Sequence, residues 1–259
     1  MSESTNPAPV RIAPIRVAPI RIAMWSGPRN ISTAMMRAWE NRPDTAVVDE
    51  PFYACYLAAT GLDHPGREEV LASQPTDWRA VAASLTEEPV PGGRAVFYQK
   101  HMTHHMLPEI GLEWLNGVRS AFLIRDPAEV VASYIQRRGS VTLEDIGVVR
   151  QAELFDRVAD RLGSAPPVIE ARDVLADPEA ALDRLCAALG VPFTTAMLSW
   201  PAGRRATDGV WAPHWYRSVE ASTGFGALPP PSPPLPGDLA RVADAARPYY
   251  ERLRAWRLA

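Results

Sequence analysis

The sequence predicts an α/β fold, a three-layer sandwich whose central parallel sheet has about five strands. Short, continuously apolar segments recur along the chain, as is typical of strands that are buried on both faces. Helical patterns separate these segments, so consecutive strands are joined by crossover connections. Because parallel strands bring their carboxyl ends to one edge of the sheet, where such folds bind ligands, we expect the functional residues at that edge.

Length, composition and charge limit the kinds of protein to which this chain can belong. The 259 residues are 47 % hydrophobic, enough for a substantial core. The net charge of −3 gives no global basic field for nucleic acid, and no apolar run reaches the length of a membrane span. The two cysteines, Cys55 and Cys186, lack metal-ligand spacing and suggest a reducing compartment. We therefore expect a cytoplasmic protein that binds neither nucleic acid nor membrane, and the oligomeric state stays open.

Five predicted strands alternate with predicted helices. The strands cover residues 21–25, 45–50, 94–100, 118–125 and 167–171. The helices cover residues 31–39, 52–60, 68–71, 77–85, 127–138, 142–162, 178–189 and 238–258. The helix that begins at Pro127 has the clearest start, because Asp126 suits the N-cap and Glu129 the capping-box position.

The two ends of the chain are predicted to lie outside this alternation. Prolines recur every five positions within residues 1–20, which opposes a helix and a central strand, so we expect a flexible leader. Residues 21–259 then form a single domain. Within it, the composition of residues 201–237 predicts a lid followed by an extended proline-rich strap. Residues 238–259 form a closing helix, which Pro248 is expected to kink or restart.

A tight turn, Ser26-Gly27-Pro28-Arg29-Asn30, connects the first strand to the first helix. Such a turn points unpaired backbone N–H groups and the positive end of the helix dipole at one place. Arg29 adds a full positive charge there, and Ser32 and Thr33 add hydroxyl groups. The turn therefore predicts a cradle for a phosphate-like anion, with an ordinary turn and one solvated arginine as the alternative.

The turn does not fit a Walker P-loop, which would need Gly, Lys and Ser or Thr at positions 32, 33 and 34. Read from Pro28, it resembles the 5′-phosphosulfate loop of the PAPS-dependent sulfotransferases, P-[KR]-S-G-T-T. Pro28 and Arg29 match the first two positions, and Ser32-Thr33 matches the two hydroxyl positions. Asn30-Ile31 departs from the Ser-Gly between them. This resemblance implies a P-loop NTPase-like fold and PAPS as the sulfuryl donor.

Two further segments resemble the family's nucleotide-binding motifs. Arg125, with Ser133 eight positions later, is similar to the pair that binds the 3′-phosphate, although Arg125 could instead pair with a nearby carboxylate. Arg204-Arg205, with Gly209 and Trp211, is similar to the C-terminal motif R-K-G-x-x-G-D-W, and the resemblance implies that both arginines grip the same phosphate. Residues 168–193 resemble a scaffold segment of the family. Together these matches point to a bacterial-type sulfotransferase.

The resemblance implies transfer of a sulfuryl group to a hydroxyl or amine of a small-molecule acceptor, without a metal. Arg29 would neutralise the leaving phosphate, and Lys100 could approach the same group from the third strand. Glu50 ends the second strand, where the Golgi and bacterial branches place the general base. His101 and His104 compete for this role, although their spacing from Lys100 differs from the K-x-H pattern of the cytosolic branch. We favour Glu50.

Two other functions stay open. The segment Ala46–Glu50, AVVDE, looks like a Walker B strand, which would fit a nucleotide kinase or an ATPase. A non-catalytic nucleotide-binding relative would keep the fold without the reaction. The acceptor cannot be read from the sequence, but aromatic residues in segments 51–90 and 210–226 favour a small, partly apolar alcohol, phenol or amine.

Overall fold

The computed structural model describes residues 18–136, 139–230 and 233–259. Five strands, all parallel, form one sheet in the order β2-β3-β1-β4-β5. They are β1 (Ile20–Ser26), β2 (Thr45–Asp49), β3 (Val96–Met102), β4 (Arg119–Ile124) and β5 (Val168–Glu170). The predicted fold class and the number of strands are confirmed. Of the predicted leader, only residues 18–20 lie in the described part of the chain.

Helices cover both faces of this sheet. They are α1 (Ser32–Glu40), α2 (Tyr53–Thr60), α3 (Arg67–Ser73), α4 (Trp78–Thr86), α5 (Pro127–Ile135), α6 (Val148–Leu162), α7 (Ala171–Ala176), α8 (Pro178–Ala188), α9 (Ala212–Trp215), α10 (Arg217–Glu220) and α11 (Gly237–Arg254).

The central strand β1 shows why the sheet needs two helical layers. Ile22 and Met24 pack into the core that contains α1 and α8, whereas Ala23 and Trp25 pack into the opposite core with α4, α6 and α11. All four side chains are fully buried. Successive residues of a strand point to opposite faces, so a continuous apolar run requires cover on both sides.

The start of α5 follows the prediction. The Asp126 side chain accepts a hydrogen bond from the Ala128 N–H, and Pro127 occupies the first helical position. Glu129 instead forms ion pairs with Arg125 and Arg172. The helix ends at Ile135, and part of its predicted end, residues 137–138, lies outside the described residues.

The predicted helix over residues 142–162 begins later than expected, at Val148. Thr142 and Asp145 form two side-chain to backbone hydrogen bonds in a turn before it. Gly147 then takes a left-handed conformation, with φ of 67°, at the N-cap. These local bonds compete with the helix and delay its start. The turn matters for the site because its residues 145–147 lie beside the first βα turn.

Four other segments differ from the predictions. Helix α7 was not predicted, and segment 201–226, which lacks a regular pattern, contains α9 and α10. Helix α11 continues through Pro248 as one element, packed against α5 and α6. Strand β3 extends to Met102, so His101 lies inside the sheet and not in a loop after it. Within the described ranges, no helix is both long enough and apolar enough to cross a membrane.

Candidate active site

A cavity of about 440 Å³ lies at the carboxyl edge of the sheet. The turn after β1, the ends of β2 and β3, helix α5 and segment 215–226 contribute its walls. It brings together most of the predicted site residues: Pro28, Arg29, Asn30, Ser32, Thr33, Glu50, Lys100, His104, Arg125 and Ser133.

The start of α1 forms one end of this cavity. Helix α1 begins at Ser32, and no side chain caps its N-terminus. The first backbone N–H groups of a helix have no partner within it, so they are available to an anion. Ile31 has φ of 46° and Arg29 has φ of 60°, the left-handed conformation that glycine adopts readily. Ile31, where the resembled loop has glycine, therefore keeps a glycine-like backbone.

Two arginines from separate motifs meet at this end. Arg29 Nε donates to Ser133 Oγ at 3.0 Å, and Arg125 Nη1 donates to the Arg29 carbonyl oxygen at 2.8 Å. Arg125 Nε also pairs with Glu129 at 3.0 Å, so the carboxylate partner considered from the sequence is present. Arg125 and Ser133 still line the cavity, so two arginines and a hydroxyl group contribute to this part of its wall.

Ser26 and Gly27 begin the turn, and they do not line the 440 Å³ cavity. Ser26 is fully buried, and its carbonyl oxygen accepts a hydrogen bond from the Thr103 hydroxyl at 3.4 Å. A Cβ atom added at Gly27 would lie 2.3 Å from the carbonyl oxygen of Ile146. Gly27 is therefore required by the close approach of two backbone segments.

Replacing Gly27 with alanine should destabilise the protein, because the new methyl group meets a backbone carbonyl that cannot rotate away. We expect a loss of about 1–3 kcal/mol, measured by denaturant unfolding. Gly237→Ala is the matched control, since a Cβ there meets no atom within 4 Å. Equal stability of Gly27→Ala and wild type would show that the turn is not held against Ile146.

Glu50 and Lys100 also line the cavity, and the Asp49 carboxylate is buried behind them. Lys100 Nζ lies 2.8 Å from Asp49 Oδ1 and 2.5 Å from Glu50 Oε1, and it donates to the Tyr216 hydroxyl at 2.8 Å. An ammonium group has three N–H donors, so these partners use all of them. Glu50, like Arg29, is a non-glycine residue with positive φ. Such conformations cost about 1–3 kcal/mol each and concentrate at functional sites.

The environment of Glu50 favours its use as a base. Burial is the largest influence on the pKa of Glu50, and with the adjacent Asp49 carboxylate it raises that pKa despite the Lys100 ammonium. Burial alone would lower the pKa of Lys100, but Asp49 and Glu50 outweigh it and hold that pKa well above its ordinary value. Lys100 therefore stays charged, and the Glu50 carboxylate binds a proton more readily than an exposed one.

A family model described as "Sulfotransferase domain" matches residues 20–257. The chain belongs to the sulfotransferase family. Branched-chain-amino-acid aminotransferase-like protein 1 of Arabidopsis thaliana is 35 % identical over 231 residues, which are 89 % of this chain and 41 % of that protein. The corresponding protein 2 is 33 % identical over 203 residues, 78 % of this chain and 36 % of that protein. The chain thus spans about two fifths of the length of these relatives.

Solved sulfotransferase structures share the fold. The sulfotransferase domain from the curacin biosynthetic pathway has a TM-score of 0.52 and 18 % identity, and the match covers 90 % of this chain and 99 % of that one. A sulfotransferase from Alicyclobacillus acidocaldarius has a TM-score of 0.54 and 16 % identity, and the match covers 92 % and 96 %. At these identities the likeness shows the fold, which is the predicted P-loop NTPase-like sandwich.

The histidines at positions 101, 104 and 105 lie in two environments. His101 stacks on Trp25 at 4.4 Å between ring centroids and contacts Gln99, and it does not line the cavity. Burial, aided by Lys100, lowers the pKa of His101 to about 3. The predicted catalytic role of His101 is therefore not supported by its position. His104 and His105 do line the cavity, where His105 stacks on Tyr53.

The C-terminal motif lies away from the cavity. Arg204, Arg205 and Gly209 do not line it. The Gly209 N–H donates to Asp49 Oδ2 at 3.2 Å, and the Arg205 N–H donates to Asp208. In this arrangement the motif anchors its segment to the end of β2, and contact of both arginines with a phosphate in the cavity would require these side chains to move.

Segment 201–211 is further anchored on α1. Asp208 forms an ion pair with Arg37 at 2.7 Å, and both side chains are fully buried. Asp49 and Tyr216 both contact Lys100, and neither is among the site residues predicted from the sequence. Asp49 could have been predicted, because it stands beside Glu50 at the end of the strand β2. No pattern identified Tyr216, since it reaches the cluster from an irregular segment.

Among the described residues, no group of three or more His, Cys, Asp or Glu side chains is arranged to hold a metal ion.

Proposed function

We propose that the chain transfers the sulfuryl group of PAPS to a hydroxyl or amine of a small-molecule acceptor, with Glu50 as the general base. One observation supports this most strongly. The basic, uncapped start of α1 and the Glu50–Lys100 pair face the same cavity, so a donor bound at the start of α1 would share one site with a proton acceptor.

The donor end offers groups of the right chemistry for two phosphates. The backbone N–H groups at the start of α1, with Arg29, Ser32 and Thr33, would hold the 5′-phosphosulfate. Arg125 and Ser133 would hold the 3′-phosphate. The cavity volume, about 440 Å³, lies within the range of ligand sites in proteins.

The reaction forms a bond between sulfur and the acceptor oxygen or nitrogen and breaks the bond from sulfur to the 5′-phosphate oxygen. Glu50 takes the proton that the acceptor loses. Arg29 and the start of α1 neutralise the negative charge that grows on the leaving phosphate. Lys100 holds Glu50 in place through an ion pair. Because the three N–H groups of Lys100 already have partners, the ammonium would reach the donor only by releasing one of them.

Nucleotide binding tests the donor assignment. Wild type should bind PAP more tightly than 5′-AMP by about 2 kcal/mol or more, because the loss of the 3′-phosphate removes charge-assisted hydrogen bonds of roughly 1.5–3 kcal/mol each. Arg125→Ala should lose most of this preference. The measurement is isothermal titration calorimetry with PAP, 5′-AMP and ADP, the last with and without Mg²⁺.

Arg204→Ala/Arg205→Ala is the matched control, since neither arginine lines the cavity. We expect this variant to keep the preference for PAP. Loss of the preference would show that segment 201–226 closes further over the nucleotide. Tight Mg²⁺-dependent binding of ADP with no preference for PAP would support a kinase or an ATPase instead.

A further inference from the structure

The hydroxyl of Tyr216 lies at the centre of the buried cluster beside the cavity. It donates to Asp49 Oδ2 at 2.7 Å, and it accepts from Lys100 Nζ at 2.8 Å and from Trp211 Nε1 at 3.1 Å. A phenolic hydroxyl has one hydrogen to donate and two lone pairs to accept, so these contacts use its full capacity. The same oxygen lies 3.5 Å from Glu50 Oε1.

These contacts fix the direction of the lysine. Tyr216 and Asp49 take two of the three Lys100 donors, and Glu50 takes the third. Without the hydroxyl, a buried ammonium would have one N–H unpaired, and Asp49 would lose a donor. A buried unpaired donor is destabilising, so the lysine would move toward another partner. The position of Glu50 therefore depends on Tyr216 through Lys100.

We propose that Tyr216 is a positioning residue of the sulfotransfer site, whose hydroxyl holds Asp49 and Lys100 so that Glu50 faces the acceptor. This inference rests on the proposed function for its catalytic consequence. It also assigns a role to segment 201–226, which carries Tyr216 to the end of β2. Trp215, Val219 and Phe225 of the same segment line the cavity, so the segment would contribute both an acceptor wall and a support for the base.

The segment is built to hold Tyr216 in place. The Trp211 ring is buried against Tyr53 and donates to the Tyr216 hydroxyl. The Gly209 N–H binds the same Asp49 oxygen that accepts from Tyr216. Displacement of the segment would therefore break both of these contacts to Asp49 at once. The base end of the cavity is complete only when this segment is seated.

The first test measures the ionisation of Glu50 by ¹³C NMR of glutamate-labelled protein, with Glu50→Gln to assign the signal. The titratable groups that face Glu50 are Asp49, Lys100 and Tyr216. Tyr216→Phe should raise the pKa of Glu50, because the Lys100 ammonium that stabilises the carboxylate is no longer held beside it by the hydroxyl. Asp49→Asn should lower it, because a neighbouring negative charge is removed. Opposite shifts from two variants of one cluster are not expected from general loosening of the fold.

The second test measures sulfuryl transfer from ³⁵S-labelled PAPS to the best acceptor in a panel of small alcohols, phenols and amines. Tyr216→Phe should lower the rate at saturating substrate by about tenfold to a hundredfold, while the Kd for PAP is unchanged. Tyr98→Phe is the matched control. Its hydroxyl is buried near the same cluster but has no hydrogen-bond partner in the described part of the chain. Tyr98→Phe should keep the wild-type rate.

The outcomes separate this inference from the proposed function. An unchanged pKa of Glu50 and an unchanged rate in Tyr216→Phe would overturn the role of Tyr216 while sulfotransfer stands. Equal losses in Tyr216→Phe and Tyr98→Phe, with no shift in that pKa, would also overturn it. If wild type neither binds PAP nor transfers sulfate, the proposed function fails, and the NMR titration still decides whether Tyr216 controls Glu50.

Discussion

Replacing Glu50 with glutamine is expected to lower sulfuryl transfer by roughly 10²–10⁴, the usual contribution of a general base. Glutamine has the same shape as glutamate but cannot take the acceptor proton. The Kd for PAP should stay at the wild-type value, because Glu50 follows β2, which β3 separates from β1 and its basic turn. The measurement is transfer from labelled PAPS at saturating donor, together with calorimetry of PAP.

His101→Ala and His104→Ala are the comparisons for this prediction. Both should lose far less transfer than Glu50→Gln, since His101 lies in the core and the Lys100 ammonium binds Glu50 together with Asp49 and Tyr216. Because burial raises the pKa of Glu50 above its ordinary value, the rate should rise with pH through that higher pKa and then level off. The larger loss in His104→Ala would assign the base to the histidine.

Replacing Arg29 with alanine is expected to lower transfer by about 10²–10³. The guanidinium contributes a full positive charge at the uncapped start of α1, where the leaving phosphate gains negative charge. Arg29→Lys should recover part of the loss, because it restores the charge without the planar fork. Transfer rates and PAP affinity measured in parallel separate an effect on the reaction from an effect on binding.

Two variants make the Arg29 result specific. Ser133→Ala removes the partner of Arg29 Nε and keeps the charge, so it should cost much less than Arg29→Ala. Arg204→Ala removes an exposed arginine outside the cavity and should have no effect. Near wild-type turnover of Arg29→Ala would remove this residue from the proposed mechanism.

The fold was predictable from hydrophobic patterns and helix-start residues, which depend only on neighbouring positions in the chain. Strand β1 is apolar on both faces, which is visible in the sequence and requires two helical layers. The start of α5 was also visible, because Asp126 and Pro127 satisfy the backbone requirements of a helix start with neighbouring residues. Both features are local, so a single sequence contains them.

Features that depend on distant contacts were not predictable. Segment 201–226 has no period, and its place is set by bonds to Asp49 and Arg37, more than 150 residues away in the chain. Tyr216 reaches Lys100 by the same route. The sequence pattern predicts that β3 ends at Lys100, which leaves His101 after the strand. Pairing with β1 extends β3 to Met102, and His101 stacks on Trp25. Tertiary pairing decided these positions.

The most direct test of the central claim is a transfer assay with ³⁵S-labelled PAPS and the acceptor panel. We predict that the label appears in one or more acceptors together with an equal amount of PAP, and that Glu50→Gln and Arg29→Ala, folded as wild type, give little or none. If the folded wild-type protein binds PAP but forms neither labelled product nor PAP with any acceptor in the panel, the proposed sulfotransfer is contradicted.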